Sequence, residues 1–117
     1  MIISRTPFRI SFAGGGTDLK EYYNREMGMV VSTTINNYVY ITVKKQNNLH
    51  KYKMRLSYSD LEHVNEIDEI KHPIIKEALL LLGIDEALEI TTMADVPAKT
   101  GLGSSSTFTV GLLNALH

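Results

Sequence analysis

The chain has 117 residues, 44% of them hydrophobic and 21% charged, and Lys+Arg 12 nearly balances Asp+Glu 13 for a formal net charge of -1. That is the composition of one globular domain with a real core, and it excludes a disordered chain. It offers no basic footprint for nucleic acid or an anionic membrane, and Cys 0 removes disulfides, thiolate nucleophiles and zinc-thiolate sites together.

In chain order, Ile2 to Ala13 reads as a strand, with Phe8, Ile10 and Phe12 alternating against Arg9, Ser11 and Ala13, so that Arg9 and Ser11 share a face. Gly14-Gly15-Gly16-Thr17-Asp18 breaks it as a tight, bare loop. Asp18 then suits the N-cap of a short helix from Leu19 to Met27, stopped by Gly28, with Tyr22 and Tyr23 expected to pack partly inward. Met29 to Ile35 and Tyr38 to Lys45 are rich in Val, Ile, Thr and Tyr and read as strands, the first able to run into the second across Asn36-Asn37. After the turn at Gln46-Asn47-Asn48, Lys53 to Tyr58 alternates again, and an antiparallel meander is expected. Ser59 to Lys71, with Asp60, Glu62, Glu66, Asp68 and Glu69, reads as a solvated connector holding a turn or two of helix.

Pro73 to Leu82 is the clearest helix, with Pro73 at its first position, Gly83 as its stop and Leu79 to Leu82 expected in the core. Ala87 to Met93 is a further strand. A loop from Pro97 to Gly103 leads to a final helix starting at Ser104 or Ser105, with apolar Phe108, Val110, Leu112, Leu113 and Leu116. The longest greasy run, Ala78 to Leu82, is far shorter than the ~18 residues a membrane span requires. The start, Met1 to Pro7, has no basic segment followed by a long apolar one. With the missing cysteines, this gives the expectation of a cytoplasmic protein that needs neither membrane nor nucleic acid.

Two segments carry the chemistry. Pro97-Ala98-Lys99-Thr100-Gly101-Leu102-Gly103-Ser104-Ser105-Ser106 places a glycine-rich loop between a strand and a helix start, where free N–H groups and the helix dipole favour an anion. The three serines can cap the helix, donate to phosphate, or ligate a hard cation such as Mg²⁺. A Walker A loop is excluded because no Lys-Ser/Thr pair follows the second glycine, and the dinucleotide fingerprint fails because Ser106 stands where a third glycine is needed. A plain glycine turn with a serine cap remains the alternative. The second segment runs from Arg9 to Asp18: its bare loop leaves room for a ligand, Asp18 can accept from sugar hydroxyls, and Arg9 can face negative charge. There the alternative is a simple N-cap and a solvated arginine. His50, His63, His72 and His117 show no metal spacing and are read as surface residues, His72 also as a possible cap beside Pro73.

Taken in order, Pro7 to Asp18 and Pro97 to Ser106 resemble the first and second motifs of the GHMP kinases, a family that includes galactokinase, homoserine kinase and mevalonate kinase. The Gly-Gly-Gly-Thr-Asp form, the run from Ser32 to Asn36 with the Tyr-Val-Tyr that follows, and the triple serine resemble its heptose 7-phosphate kinase branch. The resemblance implies an α+β fold over residues 1–117: a mixed, mostly antiparallel sheet with helices on one face, like a small-subunit ribosomal protein, with a left-handed β-α-β unit. It implies ATP and Mg²⁺ as cofactors, with Pro97, Gly101, Leu102, Gly103, Ser104, Ser105 and Ser106 binding ATP and Ser105 meeting the metal. Arg9, Gly15, Gly16, Thr17 and Asp18 are assigned to a sugar or sugar-phosphate acceptor. Galactokinase carries Glu-His where this chain has Gly15-Gly16, so galactose is not expected.

The family's acidic base and third motif are expected beyond His117, which leaves the catalytic residue unassigned. These residues are then an N-terminal part that lacks a C-terminal domain, is nearly inactive alone and is prone to self-association. Another sugar kinase of fucose or N-acetylhexosamine type, or a non-catalytic anion-binding or assembly module, are the competing functions.

Overall fold

Alternating apolar positions produce five strands in one sheet: β1 Ile2–Ala13, β2 Val31–Lys45, β3 Met54–Ser57, β4 Leu61–Val64 and β5 Leu88–Ala94, in the spatial order β1-β2-β5-β3-β4. The computed structural model describes residues 1–47, 51–97 and 101–117. Three pairings are antiparallel and β3–β5 is parallel, so the sheet is mixed and mostly antiparallel, as expected. It is not a meander. A parallel pair needs a crossover, here made by β4 and helix α2 (Pro73–Leu82), and β5 returns into the gap between β2 and β3.

One sheet face presents Val39, Ile41, Val43, Met54, Leu56, Leu88 and Ile90, all buried. Against it pack Ile75, Ala78 and Leu79 of α2 and Leu112 and Ala115 of α3 (Ser104–Leu116), so both long helices share that face. Gly111 brings α3 close to β1: a Cβ there would lie 2.7 Å from Thr6 Oγ1, and the buried Ser4 hydroxyl donates to the Gly111 carbonyl at 2.7 Å. The opposite face is polar and aromatic, with the Arg5 guanidinium 4.5 Å over the Tyr38 ring and Arg55 paired to Glu89 at 3.1 Å.

Three further expectations are corrected. The helix after the glycine loop is a single turn, α1 Lys20–Tyr23, preceded by a 3-10 turn Gly15–Asp18, so Leu19 rather than Asp18 precedes it. Neither turn buries a residue, and a helix with no face to bury cannot offset its nucleation cost, which leaves Tyr22 and Tyr23 exposed. The acidic connector contains β4, an edge strand that escapes the usual pattern because it turns Glu62 inward and Leu61 outward. The leucine run of α2 cannot face the core at every position, since each residue turns by about 100°. Leu79 is fully buried, but Leu80 is 50% and Leu81 75% exposed, and Val110 of α3 also faces solvent.

Burial along β1 changes midway. Ile10 and Phe12 are exposed although Phe8 is buried, because β2 pairs with β5 only from Val39 onward. Beyond that point Arg9 to Ala13 pair only with Val31 to Thr34, as a two-stranded ribbon reaching past the sheet. The ribbon stretches the molecule to 50 × 31 × 23 Å and raises the radius of gyration to 16.0 Å, against the about 13 Å usual for this length.

Candidate functional site

The loop before α3 is shaped by Gly101 (φ 77) and Gly103 (φ 69), both in the left-handed region that side chains disfavour. Gly103 caps α3, its carbonyl accepting from the Thr107 N–H at 2.9 Å. The first-turn amides of Ser104, Ser105 and Ser106 have no intrahelical acceptor, so the helix presents free donors at its positive end. Leu102 packs on the core and Ser105 is exposed. Ala98, Lys99 and Thr100 of this loop, and His50, lie outside the described residues.

Pro97, Ser104 and Ser105 border a cavity of about 390 Å³ whose other walls include Phe8, Val96 and Phe108. It is greasy on one side and lined with hydroxyls and amides on the other. Tyr58, not singled out from the sequence, also lines it, as does His72, read there as a surface residue and possible cap. His72 is not a surface residue. Its ring lies 4.6 Å from Tyr58 and 5.0 Å from Phe108, and its Nδ1 caps α2 by accepting from the Ile75 N–H at 3.3 Å. Burial pushes its pKa down, with the Glu62 charge opposing. His63 stacks on Tyr52 at an exposed position, as expected of a surface residue.

Behind His72, Glu62 is buried and fully engaged. It accepts from the Tyr58 hydroxyl at 2.5 Å, the Lys71 N–H at 2.8 Å and the His72 N–H at 3.2 Å. Burial alone would raise its pKa, but those bonds, led by the Lys71 amide, outweigh it and hold the carboxyl below its ordinary value. Burial, then the Glu62 bond and nearby negative charge, push Tyr58 up to about 12. Both are structural groups at working pH, not acids or bases for a reaction. The cap expected of His72 beside Pro73 is thus present, whereas its expected place on the surface is not.

The second cavity, of about 530 Å³, is lined by Arg9, Ser11, Gly15, Thr17, Asp18 and Tyr23, together with the Gly28 to Val30 backbone. Gly14 (φ 80) is required beneath it, since a Cβ would fall 1.9 Å from the Met29 carbonyl oxygen. The Asp18 side chain is exposed and has no hydrogen-bond partner among the described residues. Gly16 stands in the same 3-10 turn but does not line the cavity.

Arg9 joins the two. It lines the second cavity, and its Nη1 donates to Ser106 Oγ at 3.0 Å, in the first turn of the helix that heads the first cavity. It also lies over Gly103, where a Cβ would come within 2.6 Å of Nη1. Segments 97 residues apart thus meet at one guanidinium. Among the described residues no three His, Asp or Glu side chains converge as a metal site.

Residues 70–117 match the family described as the GHMP kinases N terminal domain. Over residues 70–117 the chain is thus similar to the N-terminal domain of the GHMP kinases. The Campylobacter jejuni D-glycero-alpha-D-manno-heptose 7-phosphate kinase is 29% identical over 97% of this chain and 36% of its own length. The crystal structure of a D-glycero-D-manno-heptose 1-phosphate kinase from Bacteriodes thetaiotaomicron superimposes with a TM-score of 0.81 at 25% identity, over 99% of this chain and 41% of the other. Methanococcus jannaschii mevalonate kinase shares the fold, with a TM-score of 0.69 at 22% identity over 98% of this chain and 39% of that one. The chain thus spans about two fifths of the length of these proteins. Among the described residues no helix is long and apolar enough to cross a membrane.

Proposed function

We propose that these residues hold ATP and part of the acceptor in a sugar kinase that transfers the γ-phosphoryl group of ATP to a hydroxyl of a heptose phosphate. The observation that carries this reading is the Arg9–Ser106 contact, which sets two differently built cavities side by side at the head of one helix. The cavity against Phe8 and Phe108 suits a planar base, and the amides and hydroxyls of Gly101 to Ser106, with Pro97 at the rim, suit its phosphates. The Ser105 hydroxyl is assigned to Mg²⁺, which when bound would neutralise phosphate charge. Asp18 and the loop around Gly15, Gly16 and Thr17 are assigned to the acceptor, with Asp18 accepting from its hydroxyls.

Phosphoryl transfer of this kind rests on positioning and charge neutralisation. Arg9 sits between donor and acceptor, where it can face the transferred group and hold the two segments in register. No acid among these residues is assigned as the base. The heptose kinases that resemble the chain are more than twice as long as the segment they share with it, and a second domain of that kind is the partner we assign. Ile10, Phe12, Met27 and Met29, exposed on and beside the ribbon, favour self-association where no such partner covers them. A cytoplasmic site of action follows from the choice of ATP as donor.

Two measurements test this. Mg-ATP should stabilise the chain against heat, by about 2.7 kcal/mol at a hundredfold excess over Kd, whereas ADP-ribose should do so less. The product of the whole gene should phosphorylate heptose phosphates in preference to free fucose or N-acetylhexosamines. No stabilisation by Mg-ATP would favour an assembly module, and a preference for a free sugar would move the acceptor class.

A further inference from the structure

The acceptor cavity lies on the ribbon that reaches past the sheet, and neither the 3-10 turn nor α1 has a buried residue to hold its shape. Something else must fix the Asp18 carboxylate. The Thr17 hydroxyl contacts two carbonyls, Gly14 at 2.7 Å and Met29 at 3.1 Å. The first lies in its own turn; the second lies across the cavity floor, on the segment returning to β2. The Thr17 amide adds a bond to the same Gly14 carbonyl at 3.0 Å. The backbones are in close contact at both ends of this tie: a Cβ on Gly28 would lie 2.7 Å from the Thr17 carbonyl oxygen, and one on Gly14 would overlap the Met29 carbonyl.

A hydroxyl has one proton to give. With two backbone carbonyls sharing it, Thr17 has none left for an oxygen of a bound sugar. We propose that Thr17 is a positioning residue: its hydroxyl staples the Gly15–Asp18 turn to the Gly28–Val30 segment and so fixes the neighbouring Asp18 carboxylate in the acceptor cavity, without itself donating to the acceptor. This rests on reading that cavity as the acceptor site, and it gives Thr17 a positioning role beyond the binding role first expected of it.

Thr17→Val keeps the shape and loses the proton, whereas Thr17→Ser keeps the proton. In the product of the whole gene, Thr17→Val should raise the acceptor KM about tenfold, the effect of losing one or two hydrogen bonds. The KM for ATP should stay within about twofold and Thr17→Ser should stay near the parent, since neither change touches the nucleotide cavity or removes the proton. Because Thr17 acts through Asp18, Thr17→Val should add nothing to Asp18→Asn. An unchanged acceptor KM in Thr17→Val, or losses that multiply in the double variant, would overturn the proposal.

Hydrogen exchange separates the staple from the kinase reading. Amides 14 to 19 should exchange about tenfold faster in Thr17→Val while those of Ile41 and Leu56 do not change. Unchanged exchange refutes the staple whatever the activity. Faster exchange in a protein that phosphorylates no sugar upholds the staple and removes the acceptor reading.

Discussion

Replacing Gly103 with alanine strikes the loop where its backbone and the Arg9 side chain meet. Gly103 lies at φ 69 and ψ 33, a left-handed conformation that costs a residue with a Cβ about 1–2 kcal/mol. The new methyl would also sit 2.6 Å from Arg9 Nη1. A guanidinium at the end of a flexible side chain can move aside, so the clash itself is cheap, but moving breaks the 3.0 Å bond to Ser106. An exposed bond of that kind contributes at most about 0.5–1.5 kcal/mol. Together these predict about 1.5–3.5 kcal/mol of lost stability in urea unfolding. A double-mutant cycle separates the two terms: in an Arg9→Ala background, Gly103→Ala should cost only its backbone share. Stabilisation by Mg-ATP should also fall, because the loop amides lose their aim. Equal costs in the two backgrounds would show that Arg9 does not rest on this loop, and a cost within about 0.5 kcal/mol of zero would refute the strained loop itself.

Ser105→Ala should weaken Mg-ATP binding while leaving metal-free ATP nearly unchanged, by titration calorimetry with and without a chelator. Leu79 is fully buried, so Leu79→Ala should cost about 2–5 kcal/mol in urea unfolding, whereas the exposed Leu81→Ala should cost little. Gly14→Ala should disorder the acceptor cavity at only a modest global cost, read as fast exchange of amides 13 to 31 with a nearly unchanged core. Acid should weaken the fold in two stages. The folded His72 pKa is lowered from 6.5, so the unfolded chain takes up its proton first and stability falls as pH drops below about 6.5; the lowered Glu62 adds a second decline below about 4.5. His72→Asn keeps a cap and should erase the first decline, and Glu62→Gln should shrink the second, both followed by urea midpoints across pH. The Glu69 carboxyl, also lowered by the Asn65 and Glu66 amides, contributes to that second decline.

Strand and helix bounds were legible wherever a period met a stop signal. Ile2–Ala13 and Pro73–Leu82 fall where alternation, Pro73 and Gly83 put them. Topology was not, because alternation says which face a residue takes but not which strand lies beside it. A parallel β3–β5 pair leaves the same local pattern as a hairpin. Burial failed where context overrides type: Glu62 turns inward because three donors await it, and Tyr22 and Tyr23 stay exposed because their single helical turn has no face to bury. The site segments were visible through their glycines, of which Gly14, Gly101 and Gly103 are required by a left-handed φ. The Tyr58, His72 and Phe108 wall was not, because aromatic residues brought together by tertiary packing leave no short-range spacing.

The place of β5 in the sheet order governs how the chain can be made. Because β5 lies between β2 and β3, the edge of β2 from Val39 to Lys45 has no partner until Leu88 to Ala94 leave the ribosome. At about 5–20 residues per second, the roughly fifty residues between leave that edge open for seconds. Local turns and α2 can form in that interval, but the sheet closes late and in one step, as non-local pairing requires. A nascent chain stalled before Leu88 should stay protease-sensitive and chaperone-bound, and one stalled after α3 has emerged should not.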